Sequence, residues 1–123
     1  MARDLARLMH ALFLPAAAGC GDTHWCPPAD VYRTAWGWLV KLDLAGVRPE
    51  DLGLSVRGRR LTVRGRRRDW SVEEGQSHYR LEIAYSSFER SLELPCDLEQ
   101  THIRTDYRDG MLLVRIHTEE ANP

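Results

Sequence analysis

Hydrophobic and polar positions alternate with a period of two over most of this chain. The sharpest case is Ile103 to Ile116, where two alternating runs flank Asp109-Gly110. Ile103, Thr105 and Tyr107 share one face of the first run, and Leu112, Val114 and Ile116 share one face of the second. Asp-Gly between such runs predicts a hairpin, because the turn needs positive φ and a glycine supplies it without a Cβ clash. A lone hairpin is unstable in water, so other segments must supply sheet. Trp36 to Leu44 predicts a long strand with Trp36, Trp38, Val40, Leu42 and Leu44 on its inner face. Ala45 to Asp51 breaks it, with Gly46 in the turn. Leu52, Leu54 and Val56 alternate next, then Leu61 and Val63, then Tyr79, Leu81 and Ile83, then Phe88, Arg90, Leu92 and Leu94. About eight strands, turn signals every 8–12 residues or so and no interior helix predict an all-β fold, an immunoglobulin-like sandwich of antiparallel strands.

Only the N-terminal stretch reads differently. Leu5, Leu8, Met9, Leu12 and Phe13 fall on one face at helical spacing within residues 3–13. This predicts a short amphipathic helix over residues 1–14, followed by a linker at 15–29 rich in Gly and Pro, a folded domain at 30–117 and a polar tail at 118–123. The apolar stripe can pack on the domain or hold a partner. Ala17-Ala18-Gly19 before Cys20 also suits an export signal, against which stand Asp4, His10 and Pro15. No apolar run approaches the roughly 20 residues that span a membrane.

Charge sharpens the picture. The net charge is −1, so nothing draws the whole chain to nucleic acid or anionic lipid. Yet residues 57–68 carry seven arginines and no acid, while residues 69–123 carry twelve acids and five arginines. Adjacent blocks of opposite sign predict pairing between strands or subunits. Arg60, Thr62, Arg64 and Arg66 alternate with Leu61 and Val63, so the basic run reads as the solvated face of one strand. Without interleaved aromatics it is a poor nucleic-acid site.

Three cysteines, Cys20, Cys26 and Cys96, do not make a disulfide framework and read as free thiols in a reducing, cytoplasmic setting. Cys20, His24 and Cys26 lie close in sequence, but no second ligand pair completes a zinc site, so no metal is expected. No cofactor motif or nucleophile elbow is present. His78, His102 and His117 sit at strand ends without a placed carboxylate or thiol partner, so no catalytic residue is assigned. Trp70 and Val72, within the polar loop 69–77, need cover, either from their own domain or from a second subunit.

Five motifs in order carry a resemblance. They are Asp30-Val31-Tyr32; Leu42-Asp43-Leu44-Ala45-Gly46-Val47 with Asp51-Leu52; Leu61 to Arg66; Ser87-Phe88-Glu89-Arg90 running to Leu94-Pro95; and Tyr107 to Leu112. Together, over residues 25–116, they resemble the small heat-shock protein family and its α-crystallin domain. That resemblance implies an ATP-independent holdase that keeps partly unfolded clients from aggregating. It also implies a homodimer or small homo-oligomer, with the 66–77 loop crossing to the partner's sheet and Trp70, Val72 and Arg90 at the interface. Client surfaces would be the amphipathic arm and a groove between the Leu54/Val56 and Ile103/Thr105 strands. Three departures stand out. Ala45 replaces a usual proline, the arm is short, and the C-terminal I-x-I motif is missing, since Val114-Arg115-Ile116 lies within the last strand. Small assemblies are therefore expected. The alternative is a sandwich interaction module, co-chaperone-like, without general holdase activity.

Overall fold

In a computed structural model describing residues 25–70 and 72–118, Asp109 and Gly110 both adopt positive φ, 54° and 77°. They close the turn between β6 (His102–Arg108) and β7 (Met111–His117), as the Asp-Gly signal predicts. The Gly110 carbonyl accepts from the Leu44 N–H at 2.7 Å. A Cβ on Gly110 would come within 3.0 Å of the Ala45 Cα, so the site suits glycine twice over.

Among the described residues seven strands form two antiparallel sheets. The first has the order β1-β2-β7-β6, with β1 at Ala29–Arg33 and β2 at Gly37–Asp43. The second has the order β3-β4-β5, with β3 at Leu52–Arg57, β4 at Arg60–Arg66 and β5 at Ser87–Glu93. Short 3-10 turns at Pro49–Asp51 and Leu98–Gln100 link strands. The period-two pattern sets the layers. Leu112, Val114 and Ile116 of β7 meet Val40 and Leu42 of β2 and Leu61 and Val63 of β4 in one buried core. Phe88 lies over Gly65, its register partner, where a Cβ would meet the ring at 2.6 Å.

Opposite charges pair between strands as expected. Arg64 bonds Glu89 at 3.2 Å, and Arg60 stands opposite Glu93 in register. Thr62 is not solvated as its arginine neighbours are. It is buried in the central strand and shares a hydrogen bond with Ser91 at 3.0 Å.

Three expectations are corrected. Trp36 is not on the inner face of β2, which starts at Gly37; Trp36 sits in the preceding bend and stacks on His117, ring centroids 4.4 Å apart. Tyr79 to Ile83 forms no strand, because none of the described residues pairs with it in a ladder, and these side chains remain exposed. Cys26 is disulfide-bonded, whereas Cys96 is a free thiol. The amphipathic arm, with Leu5, Leu8, Met9, Leu12 and Phe13, lies outside the described residues, as do Cys20 and His24.

Candidate functional site

Strand β3 is the edge of one sheet and β6 the edge of the other, so both leave backbone groups unpaired at the same mouth of the sandwich. Between them lies a cleft of about 240 Å³, lined by Leu52, Leu54, Val63, Thr105, Tyr107 and Leu112, with Pro49 and Gly53 at the rim. Its walls are mostly apolar. Leu54 is 36% exposed and Thr105 is exposed. The sequence left open which of four residues face this groove. Leu54 and Thr105 do, while Val56 and Ile103 turn to the core and are partly buried against it.

Tyr107 closes the floor. Its hydroxyl points at two carbonyls, Leu44 at 2.8 Å and Val47 at 2.5 Å. It ties the turn that carries Gly46 (φ 87°) to the edge strand. Burial, and then the nearby Asp43 carboxylate, hold its pKa above the ordinary tyrosine value.

The second apolar surface is the 69–86 loop. Arg67 anchors its base: Nε donates to the Ala84 carbonyl at 2.8 Å, Nη1 to the Ala45 carbonyl at 3.2 Å, and the guanidinium lies 3.6 Å over the Trp25 ring. Beyond this clamp and Trp70 the loop exposes apolar side chains, with Tyr79 at 99% exposure and Val72, Leu81 and Ile83 above half. A single domain of this size rarely leaves so much apolar side chain uncovered in one segment.

The three residues expected at a dimer interface are placed as follows. Trp70 folds back on its own domain; its indole N–H donates to the Gly46 carbonyl at 3.0 Å, and Arg48 covers the ring at 3.2 Å, yet 42% of it stays exposed. Val72 is open to solvent. Arg90 enters from the core side of β5, opposite Val63, and donates to the Pro27 carbonyl at 3.1 Å. Its Nη1 lies 3.8 Å from the Cys26 sulfur, and its Nε is buried without a partner among the described residues. Desolvation holds its pKa below the ordinary arginine value. Sequence reasoning missed the Trp25–Pro28 segment, which packs an indole edge-on against Phe88 at 5.0 Å. The two prolines there read as linker, and only Trp25 itself signalled a buried contact.

Among the described residues no cluster of three potential ligands could hold a metal ion. No helix of the described residues is long and apolar enough to cross a membrane. The arrangement presents an apolar cleft beside two open strand edges.

The pattern of the Hsp20/alpha crystallin family matches residues 30–123, which includes both groove strands and the loop. The chain belongs to that family. Among Hsp20/alpha crystallin relatives it is similar to the 18 kDa heat shock protein of Streptomyces albus G, 33% identical over 121 residues, covering 96% of this chain and 80% of that one. It is similar also to small heat shock protein C2 of Rickettsia felis, 27% identical over 94 residues, covering 76% of this chain and 61% of the relative. The chain spans about six tenths of the length of that protein and of spore protein SP21 of Stigmatella aurantiaca. The crystal structure of hspA from Xanthomonas axonopodis superposes with a TM-score of 0.66 at 27% identity, covering 80% of this chain and 99% of that one. The Hsp20/alpha crystallin sandwich is thus the fold on which the cleft and the loop are displayed.

Proposed function

We propose that this protein is an ATP-independent holdase that binds partly unfolded proteins and keeps them from aggregating. The observation that carries this reading is the apolar surface left open on a folded sandwich: the Leu54/Thr105 cleft and the bare Val72, Leu81 and Ile83 of the loop. Exposed apolar segments of an unfolding client gain by burial at about 25 cal/mol per Å². A surface that offers such burial competes with client self-association without needing a nucleotide. The amphipathic residues Leu5, Leu8, Met9, Leu12 and Phe13 add a second client surface.

The working unit is a homodimer or small homo-oligomer. Strand β1 leaves its outer edge open, with Val31 at 42% and Tyr32 at 41% exposure. The alternating Tyr79, Leu81 and Ile83 lack a ladder partner among the described residues. A partner's edge supplies one, with Trp70 and Val72 beside it and Arg90 acting from within its own sandwich through the Pro27 carbonyl. The protein works in the cytoplasm, on clients rather than on nucleic acid or membrane, and catalyses no reaction.

The test is a heat-labile client held at its aggregation temperature with an equimolar amount of this protein. Suppressed light scattering without ATP is the expected outcome. Undiminished scattering would reject the holdase in favour of a module that docks one folded partner.

A further inference from the structure

One corner of the four-stranded sheet carries charge that the chaperone reading leaves unused. Leu112, Val114 and Ile116 of β7 point into the core, so Arg115 and His117 point out. On β6 the register sets Arg104 opposite Arg115 and His102 opposite His117. Directly opposed residues on antiparallel strands share a face, with Cα atoms about 4.5–5.5 Å apart. Two arginines therefore confront each other on the outer face, an arrangement that destabilises a sheet when nothing neutralises it.

Among the described residues some other arginines have an acid, although Arg57 and Arg60, also opposed in register, form no ion pair either. Arg64 has Glu89 and Arg68 has Asp51. Among the described residues no acid neutralises the arginines at this corner. Asp106, the acid nearest along the outer face of β6, bonds Arg108 at 2.9 Å instead. On the β2 side the register neighbours are Leu39 beside Arg115 and Gly37 beside His117. Among the described residues neither Arg104 nor Arg115 forms an ion pair. Stacking on Trp36, with planes 24° apart, orients the His117 ring.

We propose that Arg104, Arg115, His102 and His117 form a binding site for polyvalent phosphate. Guanidinium forks match phosphate oxygens, and a phosphate can face two of them at once while relieving their mutual repulsion. The imidazole N–H groups extend the donor set along the same two strands. A single carboxylate satisfies one fork only, so a phosphate chain fits the two-by-two array better than an acidic side chain does.

The experiment is calorimetric titration of the full chain with inorganic tripolyphosphate, wild type against the double variant Arg104→Gln/Arg115→Gln. The wild type binds saturably, and the double variant binds at least about tenfold more weakly, as loss of charge-assisted hydrogen bonds requires. No saturable binding, or equal binding by both proteins, overturns the proposal. Citrate in place of tripolyphosphate tests the ligand class, and equal affinity for citrate overturns the phosphate assignment. Thermal unfolding without ligand is the control. The double variant melts no lower than wild type, because it loses only a repulsion; a lower melting temperature would show the arginines to be structural and contradict the site. None of these readouts depends on chaperone activity, so the two proposals fail separately.

Discussion

The Nε of Arg67 donates to the Ala84 carbonyl at 2.8 Å, across the base of the 69–86 loop. The adjoining backbone bond, Arg67 N–H to the Ser86 carbonyl at 2.9 Å, reinforces the same junction. One residue thus holds both ends of the exposed loop to the sandwich while its guanidinium covers Trp25. The loop is presented on a fixed base rather than trailing from two separate strands.

Replacing Arg67 with Met keeps the stem and removes the donors. The expected loss is about 2 kcal/mol of unfolding free energy, since hydrogen bonds from a charged group contribute on that scale. Urea denaturation checks it. Faster amide exchange at the loop ends should accompany the loss, and unchanged stability would show the clamp to be idle.

Trp70→Ser tests the proposed subunit contact. The indole bonds Gly46 of its own domain, so the substitution removes one local hydrogen bond and one exposed ring. The domain stays folded, and sedimentation at falling concentration shows dimer shifting toward monomer. An unchanged dissociation constant would remove Trp70 from the interface.

Tyr107→Phe should cost about 1–2 kcal/mol, because the carbonyls of Leu44 and Val47 lose their shared donor. The pH profile gives a second check. The folded-state pKa of Tyr107 is raised, so folding favours the protonated phenol. Its contribution is complete below the ordinary tyrosine pKa and fades as pH rises through the folded value. Wild type therefore loses stability in alkali more steeply than the variant, and identical alkaline slopes would contradict the raised pKa.

Gly65→Ala probes the core. The new Cβ would meet the Phe88 ring at 2.6 Å and the Asp51 carbonyl at 2.7 Å. Overpacking of this kind costs about 1–3 kcal/mol. Thermal melting reads the loss, and a melting temperature equal to wild type would mean that Phe88 moves freely.

Much of the fold was legible in the residue pattern, and the reasons are local. Alternation in Met111 to Ile116 encodes which side chains face inward, and Asp109-Gly110 encodes a turn chemistry few other pairs can adopt. The groove was legible as a pair of strands. Which side chains line it depends on the relative twist and offset of two sheets, and no local signal carries that. Tyr79 to Ile83 has strand spacing without a strand, because a ladder needs a neighbour and the described residues provide none. Trp36 misled for a related reason. Its spacing matches the inner face, but the conformation of Gly37, with φ 150° and no room for a Cβ beside the Ile116 carbonyl, starts the strand one residue later. The Arg67 clamp and the Arg90 contact with Pro27 join residues far apart in sequence, so composition and period said nothing of them.

The most direct test of the central claim is client light scattering with the Leu54→Glu variant beside wild type, both shown to be folded by circular dichroism. Leu54 lines the cleft from an exposed edge, so a charge there spoils an apolar docking surface without entering the core. The account predicts that wild type suppresses aggregation at equimolar ratio and that the variant protects less. Equal protection by the two proteins would show that the cleft takes no part in holding clients.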